Sequence, residues 1–188
     1  MTDKNFPKMA AMADFAVANR QNLPFSIRLQ RPDDMEWVEK LHARVFGPGR
    51  FARTAFRVRE ILPTDPKLCL VAEFENKRVG SVWMTPISLG TKPFESQSGC
   101  LLGPLAIDPD FRSRGLGKML VRAVSDMALS HGNYEFVVLV GDEEYYGDMG
   151  FVRAKDKTII FPGPVDPERI LVCPGGGDHV KNLRGSIL

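Results

Sequence analysis

A chain of 188 residues, 44% hydrophobic and 26% charged, has the size and balance of one globular domain built on one core. Its 25 basic and 23 acidic residues leave a net charge of +2 with both signs mixed along the chain, which argues against a nucleic-acid binder. The three cysteines and three histidines are scattered without CxxC or metal-ligand spacing, so no metal is expected and a reducing, cytoplasmic setting fits.

Residues 1–24 carry little pattern. Lys4 and Lys8 precede the short run Met9–Ala13, but Asp14 breaks it, so the segment reads as an N-terminal leader rather than an export signal. No uncharged apolar run approaches the ~18 residues of a membrane helix, and no membrane partner is expected. Residues 25–188 read as one domain, with a core over 25–155 and an irregular C-terminal section over 156–188. Phe25, Ile27 and Leu29 alternate as in a strand. Pro32-Asp33-Asp34 opens a helix whose stripe is Trp37, Val38, Leu41 and Val45, and Gly47-Pro48-Gly49 stops it. A second short helix is expected from about Ala52 to Leu62. Its arginines, with Arg50 to Arg59 the densest basic stretch, read as a solvated face. Leu68 to Phe74 and Val79 to Ile87 form a hairpin around Asn76-Lys77, and Leu101 to Ile107 adds a strand. Leu116, Met119, Leu120, Ala123, Val124, Met127 and Ala128 recur at helical spacing, and His131-Gly132-Asn133 resembles a glycine C-cap. Glu135 to Val140 has the apolar run of a buried strand. A short helix through Glu143–Tyr146 and a strand from Phe151 follow. Pro162 to Gly177, rich in Pro and Gly, is expected to wander over the surface. The order is that of an α/β (α+β) mixed sheet flanked by helices.

The chemistry concentrates between Asp108 and Lys118. A strand ends there, a loop follows, and a long helix starts near Gly115. The first N–H groups of a helix lack internal partners and carry partial positive charge. Gly115 and Gly117 uncover those groups, and Arg112, Arg114 and Lys118 add charge, as for a bound phosphate. The nucleotide P-loop is a poor match, because Met119 follows Lys118. The dinucleotide fingerprint also fails, because position 120 is Leu.

Arg112-x-x-Gly115-x-Gly117 resembles the [Q/R]-x-x-G-x-[G/A] signature of the GNAT superfamily of acyl-CoA-dependent N-acyltransferases. Gly103-Pro104-Leu105-Ala106-Ile107-Asp108-Pro109 resembles the strand before that loop, and Tyr146-Gly147-Asp148-Met149-Gly150-Phe151 matches the later Y-x-x-x-G-F segment. The similarity covers roughly residues 25–155, with runs that look like a largely uncharacterised bacterial subgroup. It implies a central mixed sheet of about six or seven strands with helices on both faces. It also implies acetyl-CoA as cosubstrate and an amine as acceptor. The amides of Ser113, Arg114, Gly115, Leu116, Gly117 and Lys118, after Arg112, would take the pyrophosphate. The backbone of Leu105, Ala106 and Ile107 would pair with the pantetheine arm, the amide of Leu105 or Ala106 polarising the thioester carbonyl. Tyr146 would be the general acid for the departing thiolate.

The general base stays open among Glu73, Glu95, Asp108 and a water relay. Transfer of a longer acyl group, transfer to a hydroxyl, a non-catalytic acyl-CoA sensor and a nucleotide-binding module are the rival readings. A homodimer is the default for a soluble oligomer, with no interface selected by sequence.

Overall fold

The computed structural model describes residues 25–90, 96–131, 134–154, 158–175 and 183–187. The expected leader, Glu95 and the glycine cap at 132–133 lie outside the described residues.

Strands β1 (Phe25–Leu29), β2 (Leu70–Phe74), β3 (Lys77–Gly90), β4 (Gln97–Ile107), β5 (Phe136–Val140), β6 (Val152–Arg153), β7 (Ile159–Ile160), β8 (Ile170–Pro174) and β9 (Gly185–Ile187) join in one sheet. The spatial order is β1-β2-β3-β4-β5-β8-β6, with β9 bridging the far end of β3 and β7. Pairing is antiparallel except for β4 with β5 and β7 with β9. The β2–β3 turn falls on Glu75-Asn76, both at positive φ (47° and 63°), the twist a tight hairpin requires.

Alternation along the strands feeds two faces. Leu70, Ala72, Met84, Cys100, Leu102, Val137 and Leu139 meet helix α3 (Leu116–His131) through Leu116, Leu120, Val121, Val124 and Ala128. Between them in sequence, Val71 and Trp83 pack with Val38 of α1 (Met35–Phe46), while Leu101, Phe136 and Val138 pack with Val58 of α2 (Thr54–Arg59). The mixed sheet with helices on both faces is therefore present, with more strands than expected.

The section 156–188, expected to be irregular, requires correction. It contributes β7, β8 and β9 and buries Ile159, Phe161, Ile170, Leu171, Val172, Leu183 and Ile187. Strand β8 lies antiparallel to β5, pairing Val140 with Ile170 through to Phe136 with Pro174. The apolar run Ile170-Leu171-Val172 gains burial there that no surface path could supply. Among the described residues, no helix is long and apolar enough to cross a membrane.

A buried ionic knot ties the first strand to the first helix. Asp34, fully buried, accepts from Arg28 (2.6 and 2.9 Å), from the Arg31 amide (2.7 Å) and from Arg78 (3.2 Å), and Arg28 also reaches Glu73 (2.7 Å). Removing Asp34 leaves the Arg31 amide unpaired, Arg78 without its carboxylate and Arg28 with Glu73 alone, so Asp34→Ala should destabilise by about 3 kcal/mol, read as a lower denaturant midpoint. The Arg28 hydrogen bond, aided by the Arg31 amide and Arg78 against the opposing effect of burial, holds the Asp34 carboxyl below its ordinary range. Its contribution is therefore present above the usual aspartate value of ~4 and is lost as pH falls through the depressed folded value.

Candidate active site

Strands β4 and β5 run side by side only from Gly99–Leu101 against Phe136–Val138. Just beyond, Gly103 and Pro104 stand opposite a single residue of β3, Trp83, because Val82 faces Leu105 while Met84 faces Leu102. Such a bulge bends its strand. Gly103 takes φ +131°, and Pro104 has no N–H to offer a neighbour. The second half of β4 thus keeps β3 and parts from β5.

The register decides which groups face the gap. Asp108 N donates to Val79 O (2.8 Å). In an antiparallel ladder alternate residues turn their N–H and C=O to the partner, so Ala106 turns to β3 while Leu105 and Ile107 turn away from it. Between the two amides left open by sequence, this favours Leu105 as the one on the free edge.

A cavity of about 520 Å³ opens at the splay. Residues 101–105 of β4 and 139–142 at the end of β5 form two walls, with Tyr145 and Tyr146 of α4 (Glu143–Tyr146) beside them. Phe46, Arg53, Thr54 and Phe56 close one side, and Pro164, Val165, Asp166 and Arg169 another. This last wall belongs to the stretch expected to wander. Asp166-Pro167, which caps a 3-10 turn (Pro167–Arg169) ahead of the strand-forming Ile170-Leu171-Val172, was the available signal.

The loop expected to bind phosphate lies next to this cavity. Asp108 caps a 3-10 turn (Pro109–Phe111) by accepting from Asp110 N (3.1 Å). Ser113 (φ 61°) and Gly115 (φ 77°) then reverse the chain in the left-handed region. Residues 112–115 are exposed, and Arg114 lies over the Phe111 ring at 5.3 Å. The helical ladder is entered at Met119 N, which donates to Gly115 O (3.1 Å), so the amides of Leu116, Gly117 and Lys118 precede it. A Cβ on Gly117 would lie 2.3 Å from the Tyr145 hydroxyl and 3.7 Å from Leu105 Cδ2, both on cavity-lining residues. The glycine thus joins the loop to the cavity.

Tyr146 is pinned by shape. A Cβ on Gly141 would lie 2.4 Å from its ring, and Phe151 and Tyr145 meet it edge-on at 5.9 and 4.8 Å. Burial above all, with Tyr145 and Asp142 adding to it, pushes its phenol up to about 12. It therefore stays protonated across the physiological range.

The pattern of the Acetyltransferase (GNAT) family matches residues 34–151, more than half of the chain. The chain belongs to the GNAT acetyltransferase family. It is 28% identical over 153 residues to the uncharacterized N-acetyltransferase YjhQ of Escherichia coli, spanning 79% of this chain and 81% of that protein. Its fold matches the crystal structure of the GNAT family N-acetyltransferase YhbS of Escherichia coli in complex with CoA (TM-score 0.68, 24% identity, 90% of this chain and 91% of that one). It also matches a GNAT family acetyltransferase from Brucella melitensis in complex with acetyl-CoA (TM-score 0.62, 22% identity, 87% and 94%). This GNAT chain is accordingly an acyltransferase enzyme.

Within the GNAT frame the remaining candidates separate. Lys118 Nζ is held by Asp148 (2.6 Å), with Arg122 donating to Asp148 O (3.2 Å), so this lysine ties α3 to the segment after α4. Glu73 is engaged by Arg28, and Asp108 by Arg44 (2.9 Å). Neither lines the cavity, whereas Asp142 and Asp166, which sequence reasoning passed over, both do. Asp142 is gripped by Arg169 (3.1 and 3.4 Å). His42 is fully buried between Phe46, Phe56 and Trp83, and burial, then Arg59 and Arg50, push it down to about 3. It stays neutral and away from the cavity.

Proposed function

We propose that this enzyme transfers an acetyl group from acetyl-CoA to a primary amine by direct attack in a ternary complex. The observation carrying the reading is the continuity of three parts: the freed edge of β4, the start of α3 touching it through Gly117 behind the exposed loop 112–115, and Tyr146 in the same cavity. Acetyl-CoA supplies the activated carbonyl and the thiol leaving group. The amides after Arg112 hold its pyrophosphate, and Arg112 and Arg114 add charge at the exposed rim. Leu105 and Ile107 offer N–H and C=O to an extended arm as a neighbouring strand would.

The Leu105 amide donates to the carbonyl oxygen as negative charge develops there. The amine bonds to the carbonyl carbon, the C–S bond breaks, the nitrogen loses one proton and the sulfur gains one. Asp142, Asp166 or a water between them receives the first proton. Tyr146 provides the second and recovers its own from solvent.

Thermal unfolding with acetyl-CoA, longer acyl-CoAs, coenzyme A and ATP tests the first half. Acetyl-CoA at 100 times its dissociation constant should add about 2.7 kcal/mol of stability, with no gain from ATP. No gain from any coenzyme A species would sink the reading, and a larger gain with longer chains would redirect it to another acyl group. Thiol release with primary amines, set against alcohols, tests the second half. Binding without release would make the protein a sensor.

A further inference from the structure

The arginine-rich stretch 50–59 is not one solvated face. Arg59 is drawn inward, its guanidinium over Phe56 at 4.4 Å and Trp83 at 4.5 Å. Burial lowers it to about 10, the cost expected of a cation set among rings. Arg50 lies over Phe51 (4.2 Å) and donates to Gly47 O (3.3 Å). Arg57 packs against the 162–166 strap, where a Cβ on Gly163 would meet its Cδ at 3.0 Å. Arg53 alone of the four lines the cavity. It is exposed, and its guanidinium stands 5.1 Å over the ring of Phe46, itself a cavity residue.

The charges lining the cavity balance, Arg53 and Arg169 against Asp142 and Asp166, but they are unevenly paired. Among the described residues, no carboxylate forms an ion pair with Arg50, Arg53 or Arg57, whereas Arg44, Arg153 and Arg169 each have one. Of the two cavity acids, Asp142 is paired with Arg169, while Asp166 accepts only the Glu168 amide (3.0 Å) and can still receive a proton. The cavity thus presents one planar cation without an ion pair, backed by an aromatic ring, at the N-cap of α2. A guanidinium in that setting has the donor fork that a carboxylate fills in bidentate fashion.

We infer that the acceptor is a small primary amine bearing a carboxylate, an amino acid in the broad sense, whose carboxylate docks on Arg53 while its amine reaches the Leu105–Tyr146 side. The inference rests on the acyl-transfer reading. About 520 Å³, shared with the end of the cosubstrate, has room for a few methylene groups between the two ends of such a molecule.

The test compares amines in which a carboxamide replaces the carboxylate, with rates referred to the neutral amine: β-alanine with β-alaninamide, 4-aminobutyrate with 4-aminobutanamide, and lysine with lysinamide. Aminoethyl phosphate serves as a phosphate arm. Thiol release from acetyl-CoA is followed for the full chain. In at least one pair, kcat/KM for the carboxylate should exceed that for the carboxamide by about tenfold or more, the range of a charge-assisted hydrogen bond. Arg53→Gln should bring that ratio to within about threefold of one through KM, and Arg53→Lys should keep part of it as a point charge. Retained protection by acetyl-CoA shows that the variants are folded.

Protection by acetyl-CoA with no carboxylate preference in any pair, a preference that survives Arg53→Gln, or turnover of aminoethyl phosphate alone would each overturn the inference and leave acyl transfer standing. Absence of acetyl-CoA protection in the wild type would instead remove the reading beneath it, and the inference with it.

Discussion

Gly117→Ala should both destabilise the fold and abolish most protection by acetyl-CoA, two effects that a second substitution can separate. The added Cβ would sit 2.3 Å from the Tyr145 hydroxyl, at the tip of a side chain with two torsions to move. Overpacking of this kind costs about 1–3 kcal/mol. The same methyl would stand over the amides at the start of α3, where an anion must come close. A hundredfold loss of affinity at fixed ligand would cut protection from about 2.7 to about 0.4 kcal/mol. Tyr145→Phe removes only the clashing oxygen. The next atoms, Tyr145 Cζ and Leu105 Cδ2, stand at 3.6 and 3.7 Å, which is ordinary contact. The double variant should therefore regain most of the lost stability while protection stays weak, a coupling visible in a double-mutant cycle. Full protection by acetyl-CoA in the double variant would place the anion somewhere other than over Gly117.

That pairing shows what local sequence carries and what it does not. The stripe Leu116-Leu120-Val124-Ala128 and the run Phe136–Val140 announce a helix and a buried strand because each needs only its own periodicity. Gly115 and Gly117 announce a loop for the same reason. That Gly117 makes room for the Tyr145 hydroxyl depends on a residue from another element, and no spacing encodes it. Glu73 and Asp108 appeared free to act as bases because their partners, Arg28 and Arg44, lie 45 and 64 positions away. The Pro/Gly content of 162–177 predicts a surface loop, yet one strand within it, β8, lies in the sheet between β5 and β6. The turn chemistry at Asp166-Pro167 was legible, but the destination of the strand after it was not. Arg53 shows the same limit in reverse. A basic run on a short amphipathic helix reads as solvated, and only the cavity separates this arginine from its neighbours.

Tyr146→Phe should lower kcat by about a hundredfold, at the low end of general-acid effects, and leave KM for acetyl-CoA within about threefold. The substitution keeps the ring against Gly141 and Phe151, so little stability should be lost. The magnitude follows from how weak an acid this phenol is. At about 12 it lies well above a free thiol near 8.5, so outright proton transfer to a free thiolate is uphill by roughly 5 kcal/mol. Tyr146 is therefore expected to hydrogen-bond the sulfur while charge builds and to complete the transfer as the nitrogen sheds its proton. The pH profile carries the sign. An acid must be neutral to act, and a raised phenol remains neutral further up the scale than an ordinary tyrosine near 10. The kcat/KM of the wild type should rise as the amine deprotonates and show no downturn below about pH 11. Tyr145→Phe is the control within the same helical turn: its hydroxyl points to Gly117, and its loss should change kcat by less than about threefold. Equal effects at the two tyrosines, or turnover by Tyr146→Phe close to wild type, would remove Tyr146 from the reaction and leave water to protonate the sulfur.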